Sequence, residues 1–228
     1  MTLDRRRFLA ASLASGLAGP AFAQSYGQSF RVDSDEGRPL ANMRLPGELT
    51  AQIEPLRGVT YLGAREADVT LYEFFDYNCP YCRKAALDIE ALAASDPALR
   101  VGLVNNPILS IHSAQAAKVG LAVQKMRGSA AAFKLYAELL RSPGRIDGPK
   151  ALEVAQASGL PRSELERLGN GDPVRDALRA QIRMANDLGL TATPSYVLGN
   201  IGVLGHPGPR SLAGMIAAMR RCDRIACG

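Results

Sequence analysis

Val69-Thr70-Leu71-Tyr72-Glu73-Phe74-Phe75-Asp76-Tyr77-Asn78-Cys79-Pro80-Tyr81-Cys82 is the stretch on which the fold turns. Its first seven residues are a continuous β-branched and aromatic run, the pattern of a central strand buried on both faces. Asp76-Tyr77-Asn78 turns the chain, and Pro80 falls where the first turn of a helix tolerates proline. Apolar Ala85, Ala86, Leu87, Ile89 and Leu92 continue an amphipathic helix to about Ala94, where Ser95-Asp96-Pro97 stops it. Residues 99–105 then read as a second strand parallel to the first, completing a βαβ unit. Both cysteines lie at the seam between strand and helix.

Downstream, residues 112–188 are almost wholly helical in pattern. Segments 113–127, 129–141, 148–158, 163–168 and 173–188 are divided by Gly, Pro, Asn and Asp breaks. Strand signals return at 194–198 and 201–204 as an Asn-flanked hairpin, and a last helix runs from about Ser211 to Arg221. Upstream, residues 24–58 are punctuated by Gly, Pro and Ser and form an N-terminal arm with a short helix around 46–56. Residues 59–228 make one α/β domain with a helical insertion at about 107–188.

The first 23 residues have the order of an export signal: clustered positive charge in Arg5-Arg6-Arg7, an Ala/Ser/Gly/Leu run, then Ala21-Phe22-Ala23 before the cleavage point. Arg5-Arg6-Arg7-Phe8-Leu9 fits the twin-arginine pattern, with Asp4 and Ala10 departing from its usual residues. The apolar run is too short and too glycine-broken to span a bilayer. Removing these residues takes three Arg and one Asp, and the net charge falls from +5 to +3. That mild excess, with no dense basic stripe and no Trp, gives nucleic-acid binding no support. The expected location is the periplasm, where an oxidising environment permits disulfides.

All four cysteines fall in the exported part, as two close pairs: Cys79/Cys82 and Cys222/Cys227. Local pairs suggest redox chemistry rather than a framework that staples distant segments. A thiol attacks only as its thiolate, and Cys79 at a helix N-terminus faces unpaired N–H groups and the positive end of the macrodipole. Cys82, one turn inward, is shielded by the helix. Cys79 is therefore the expected attacking sulfur and Cys82 the resolving one.

Three neighbours are candidates for tuning the pair. Glu73 interrupts an apolar strand; a buried carboxyl has a raised pKa and can relay the proton that Cys82 must lose. Tyr81 can donate a hydrogen bond but carries no positive charge, so Cys79 should be less acidic than in a Cys-Pro-His-Cys site. Arg83, four residues after Cys79, is either a charge that favours the thiolate or a solvated surface residue. Far along the chain, Thr193-Pro194 opens a strand. An isolated Thr-Pro there is ordinarily trans; a cis bond would free the Thr193 backbone to pair with an extended peptide.

Together, Tyr72 to Cys82 and Ala192-Thr193-Pro194-Ser195-Tyr196-Val197-Leu198-Gly199 resemble the active-site and cis-proline segments of the DsbA-like periplasmic oxidoreductases. The likeness includes the acid six residues before the first cysteine and a helical block entered through Asn106-Pro107-Ile108-Leu109, and covers about residues 58–220. It implies a thioredoxin fold with a helical insertion between the βαβ unit and the cis-proline hairpin. It further implies a catalytic Cys79–Cys82 disulfide, cis-Pro194 beside it, protein thiols and disulfides as substrates, and a membrane redox partner that recycles the site. No cofactor or metal is expected. Tyr81 and Thr193 are similar to residues of the isomerase, reductase and copper-tolerance members, whereas the arm is too short for an isomerase's dimerisation domain; oxidase-like and isomerase- or reductase-like roles both follow. His206-Pro207 departs from the Pro-Gly usual there.

Cys222 and Cys227 fall outside the family pattern. Five residues apart in a helix they are too distant to bridge, so pairing requires the helix to end near Cys222 and the tail to fold back. A structural tail disulfide is expected, with a second redox pair as the alternative. A rival function is a metal-binding or metal-tolerance module holding Cu(I) or zinc on the four cysteines; against it, the second pair lacks a two-residue spacing and only His112 and His206 are available as imidazoles. A non-catalytic thioredoxin-like binding protein is the third, and the presence of both cysteines and the Thr-Pro segment argues against it.

Overall fold

The computed structural model describes residues 29–227. Its strands are β1 (Asn42–Arg44), β2 (Thr60–Gly63), β3 (Val69–Phe75), β4 (Leu99–Asn105), β5 (Ser195–Leu198) and β6 (Ile201–Leu204). Its helices are α1 (Gly47–Thr50), α2 (Pro80–Ser95), α3 (Ile111–Arg141), α4 (Gly148–Ala157), α5 (Arg162–Asn170), α6 (Asp172–Asp187) and α7 (Pro209–Cys222). The strands form a single mixed sheet in the order β1-β6-β5-β3-β4-β2.

β3 is central because nearly every one of its side chains is apolar and buried. It pairs in parallel with β4 along its whole length and antiparallel with β5 on the other side. Strand alternation sends its side chains to two cores. Leu71 and Phe75 pack with Ala86 and Ile89 of α2, Leu212 and Ile216 of α7, and Tyr136 and Leu139 of α3. Tyr72 and Phe74 pack on the opposite face with Ile53, Val104, Met184 and Leu188. Phe74 and Ile89 have no exposed surface, and burying each such side chain contributes about 1.5–3 kcal/mol. The helices α3 to α6 form the insertion between the βαβ unit and the β5–β6 hairpin, as the thioredoxin-type expectation requires.

Several details differ from the sequence reading. The helix expected around 46–56 is shorter: α1 is one turn, and turn-type bonds from Ile53 N to Thr50 O and Leu56 N to Ile53 O follow it. The arm instead supplies β1, which extends the sheet beside β6. β2, antiparallel to β4, is a further strand the periodicity did not reveal. The breaks expected in the insertion are present, but the one at Gly128 is a kink inside α3, where φ of 78° interrupts the helix. The strand expected from Pro194 begins at Ser195.

At the C-terminus α7 stops at Cys222 because Asp223 takes a left-handed φ of 53°. The tail then folds back and Cys222 is bridged to Cys227, with the Cα atoms 6.1 Å apart. Arg220 in the last turn of α7 bonds both Asp68, before β3, and Asp96, after α2, at 2.8 and 2.7 Å. The expected export signal at 1–23 lies outside the described residues. Among the described residues no helix is long and apolar enough to cross a membrane.

Candidate active site

Cys79 is the N-cap of α2, with extended backbone (φ −76°, ψ 122°), and Pro80 fills the first helical position where no N–H is needed. Its N–H bonds Asp76 O at 3.1 Å and its carbonyl receives the first helical bond, from Arg83 N at 3.2 Å. Asn78 fixes this turn from outside. Its amide donates to Ser113 Oγ and Ile146 O at 3.0 and 2.8 Å, and its Oδ1 accepts from Ile146 N at 2.8 Å. The seam between strand and helix is thereby tied to the helical insertion. Asp76 accepts from Asn78 N at 2.7 Å and from Leu109 N at 3.0 Å, which holds the 106–110 loop against the same turn.

Cys79 and Cys82 are unbridged in this structure, and neither is freely exposed. Cys79 retains 3 % of its surface and Cys82 none. The Thr193–Pro194 peptide bond is cis, and the Cys79 thiol donates to the Thr193 carbonyl at 3.0 Å. The sheet thus brings together two motifs that stand 114 residues apart.

The two thiols have unequal acidities. The Cys82 thiol beside it, the Thr193 hydroxyl, and the backbone N–H groups of Cys82 and Tyr81 together overcome burial and hold Cys79 down to about 6. The Thr193 hydroxyl is buried and has no hydrogen-bond partner among the described residues, so it is a donor available to a thiolate. Burial pushes Cys82 well above the usual thiol range, and the charges of Cys79 and Glu73 add to the effect.

Glu73 is fully buried. Burial raises its carboxyl to about 8 against the opposing hydrogen bond from Tyr136, and the nearby Cys79 charge adds to the rise. Tyr136 Oη donates to Glu73 Oε2 at 2.9 Å, while Oε1 is buried with no hydrogen-bond partner among the described residues. A carboxyl at about 8 is mostly protonated at neutral pH; its ionised fraction can take the Cys82 proton, and loss of the Cys79 charge in a mixed disulfide enlarges that fraction.

The side chains of the other two candidate tuning residues, Tyr81 and Arg83, do not act on the sulfur. The Tyr81 side chain is half exposed, with Lys84 Nζ 5.9 Å from its ring, and what Tyr81 contributes to Cys79 is its backbone N–H. Arg83 turns away from the sulfur to the end of α3, where it donates to the carbonyls of Leu140, Ser142 and Gly144. There it satisfies orphan carbonyls at a helix C-terminus.

The four-cysteine metal set is not assembled. Cys222 and Cys227 are consumed by their own bridge, and among the described residues no three His, Cys, Asp or Glu side chains converge as a metal site. Sequence reasoning missed Tyr136 and Asn78. It named His206 without a role, and the structure places its ring between Tyr196 Oη at 2.9 Å and Asp88 Oδ2 at 2.8 Å.

One acidic thiol at a helix N-terminus and one suppressed thiol a turn behind it are suited to trading a dithiol for a disulfide. The class so defined is the thiol–disulfide oxidoreductases. The model of the DSBA-like thioredoxin domain matches residues 70–217, and the chain belongs to that family. A solved thioredoxin-like oxidoreductase from Silicibacter pomeroyi DSS-3 is 30 % identical, with a TM-score of 0.68 over 72 % of this chain and 94 % of that one. The thiol-disulfide exchange protein alpha-DsbA2 from Wolbachia pipientis is similar in fold at 21 % identity, TM-score 0.68, over 76 % of this chain and 95 % of that one. A periplasmic thioredoxin-like protein from Salmonella enterica serovar Typhimurium is similar at 19 % identity, TM-score 0.67, over 78 % of this chain and 98 % of that one. No curated protein sequence matches significantly.

Proposed function

We propose that the protein is an exported enzyme that exchanges the Cys79–Cys82 dithiol and disulfide with protein substrates. The observation that carries this is the Cys79 thiol at the N-cap of α2, bonded to the Thr193 carbonyl at 3.0 Å beside cis-Pro194, with Cys82 fully buried one turn behind it. Cys79 is the nucleophile. Its thiolate attacks a substrate disulfide, and one substrate sulfur leaves as a thiolate. Cys82 gives its proton to Glu73 and attacks Cys79 Sγ; the mixed disulfide breaks, the second substrate thiolate leaves, and the enzyme is oxidised as the substrate is reduced. In the reverse direction a reduced substrate attacks the enzyme disulfide at Cys79. Thr193 and Pro194 border the sulfur where an extended substrate segment would pair with the backbone. Tyr81, exposed beside Cys79, is a contact residue for that segment.

Periplasmic residence and the twin-arginine route are proposed from Arg5-Arg6 and the A-x-A sequence, supported by the periplasmic location named for the Salmonella protein. A membrane redox partner that recycles the pair is proposed with them. Residues 24–58 are proposed as an arm preceding the domain at 59–228. The Cys222–Cys227 bridge is proposed as structural.

A Cys79 held at about 6 lies between thioredoxin, near 7, and the strongest oxidants of the superfamily, near 3.5. Equilibration with glutathione measures the potential of the pair, a value near the oxidising end favouring an oxidase and a low one a reductase or isomerase. Insulin reduction undiminished in Cys79→Ser sinks the proposal.

A further inference from the structure

A fully buried base must exchange its proton with solvent after each turnover. Glu73 Oε2 is occupied by Tyr136, itself buried, and Oε1 has no hydrogen-bond partner among the described residues. Directly across the sheet from Glu73, in register between β3 and β5, stands Tyr196. Opposed residues of an antiparallel pair hold their Cβ atoms about 5 Å apart on one face. Tyr196 is 1 % exposed, so its hydroxyl is also cut off from water, and it feels the charges of Glu73, Cys82 and Cys79.

The Tyr196 hydroxyl shares a 2.9 Å hydrogen bond with His206 Nδ1, and His206 Nε2 shares one of 2.8 Å with Asp88 Oδ2. The His206 side chain is 9 % exposed and that of Asp88 27 %. Exposure thus rises stepwise along the chain of contacts from Tyr196 through His206 to Asp88, whereas Glu73 and Tyr196 are neighbours by register without a hydrogen bond between them. His206, the middle member of that chain, lines a cleft of about 290 Å³ with Tyr81 and Lys84 from α2 and with Glu36 and Arg38 from the arm, while Asp88 is open to solvent outside that lining. A histidine between a hydroxyl and a carboxylate can take a proton on one ring nitrogen while releasing one from the other.

We propose that Tyr196, His206 and Asp88 carry the proton between the buried Glu73–Cys82 half of the redox site and solvent at Asp88. The proposal rests on Glu73 acting as the base for Cys82. When Cys82 attacks the mixed disulfide, its proton goes to Glu73, the Cys82–Cys79 sulfur bond forms and the Cys79–substrate bond breaks. Rotation of the Glu73 carboxyl toward its register partner then lets it yield the proton to the Tyr196 oxygen as Tyr196 yields its own to His206 Nδ1. His206 releases the Nε2 proton to Asp88, and Asp88 releases it to solvent. No oxidant beyond the substrate disulfide is required. All three are positioning residues, since none touches a reacting sulfur. Reduction of the enzyme disulfide runs the path inward.

The test separates the two sulfurs. Reduced protein mixed with 5,5′-dithiobis(2-nitrobenzoate) releases one thionitrobenzoate when Cys79 attacks and a second when Cys82 resolves the mixed disulfide. In Tyr196→Phe, His206→Gln and Asp88→Asn, with circular dichroism and melting as fold controls, the first phase keeps its rate. The second slows, by about tenfold in the Tyr196 and His206 variants, and added imidazole restores it in His206→Gln. A second phase at the wild-type rate in these variants overturns the path. So does equal slowing of both phases, which reports lost packing. Glu73→Gln distinguishes the premise: if it slows the second phase while the others do not, only the path fails. If Glu73→Gln leaves that phase unchanged, the base assignment fails and the path falls with it.

Discussion

Glu73 and Cys79 titrate in opposite senses when the reduced chain unfolds, and this makes the site visible in stability. Between about pH 5 and 7.5 an unfolded Glu73, with its ordinary value near 4.5, has lost its proton while the folded one, at about 8, keeps it. The folded state binds the extra proton, so this contribution falls as pH rises, by about 1.4 kcal/mol per pH unit at most. Cys79 works the other way. From about 6 to 9 the unfolded thiol holds a proton that the folded one has released, so its contribution rises with pH and is lost as pH falls through 6. Denaturation of the reduced protein should therefore show partial cancellation between pH 6 and 8. Glu73→Gln should leave a rising stability there and Cys79→Ser a falling one, as urea midpoints across pH will show. Both residues stood out in the sequence, one as an acid in an apolar run and one as the head of a CxxC. Tyr136 did not, because it lies 63 residues from Glu73 and its contact exists only once α3 packs on the sheet. Arg83 illustrates the converse: helical spacing put its charge near Cys79, but the carbonyls at the end of α3 hold it elsewhere.

At the scale of elements, β3 and α2 were legible because a buried strand and a proline-headed helix have strong local patterns. β1 and β2 were not. At three and four residues they have little periodicity of their own, and the partners that make them strands, β6 and β4, are distant in sequence. The same dependence on distant partners governs how firmly the redox helix is seated. Asn78 joins the turn before α2 to Ile146, beyond α3, through both Ile146 N and Ile146 O. Asn78→Ala leaves those buried groups unpaired, and the loss should be about 1–3 kcal/mol in chemical denaturation. The variant should also attack disulfides more slowly through Cys79, because the N–H groups that face the sulfur are then less firmly placed. Stopped-flow release of thionitrobenzoate measures that rate.

Across the whole molecule, the sheet delivers Thr193 to Cys79 while the tail bridge lies at the far end of α7. The Cys222–Cys227 loop is small, and replacing both residues by Ser should cost about 2 kcal/mol under oxidising conditions. Exchange activity should be unchanged; a loss of activity without unfolding would show that the second pair takes part in electron transfer. The central claim is that folding makes Cys79 a thiolate at neutral pH and keeps Cys82 a thiol. Alkylation of the fully reduced protein by iodoacetamide across pH, with peptide mass mapping of the modified cysteines, tests it directly. The account predicts modification of Cys79 with a midpoint near 6 and little at Cys82 up to pH 8. A Cys79 midpoint near 9, or equal labelling of the two sulfurs at pH 7, would contradict it.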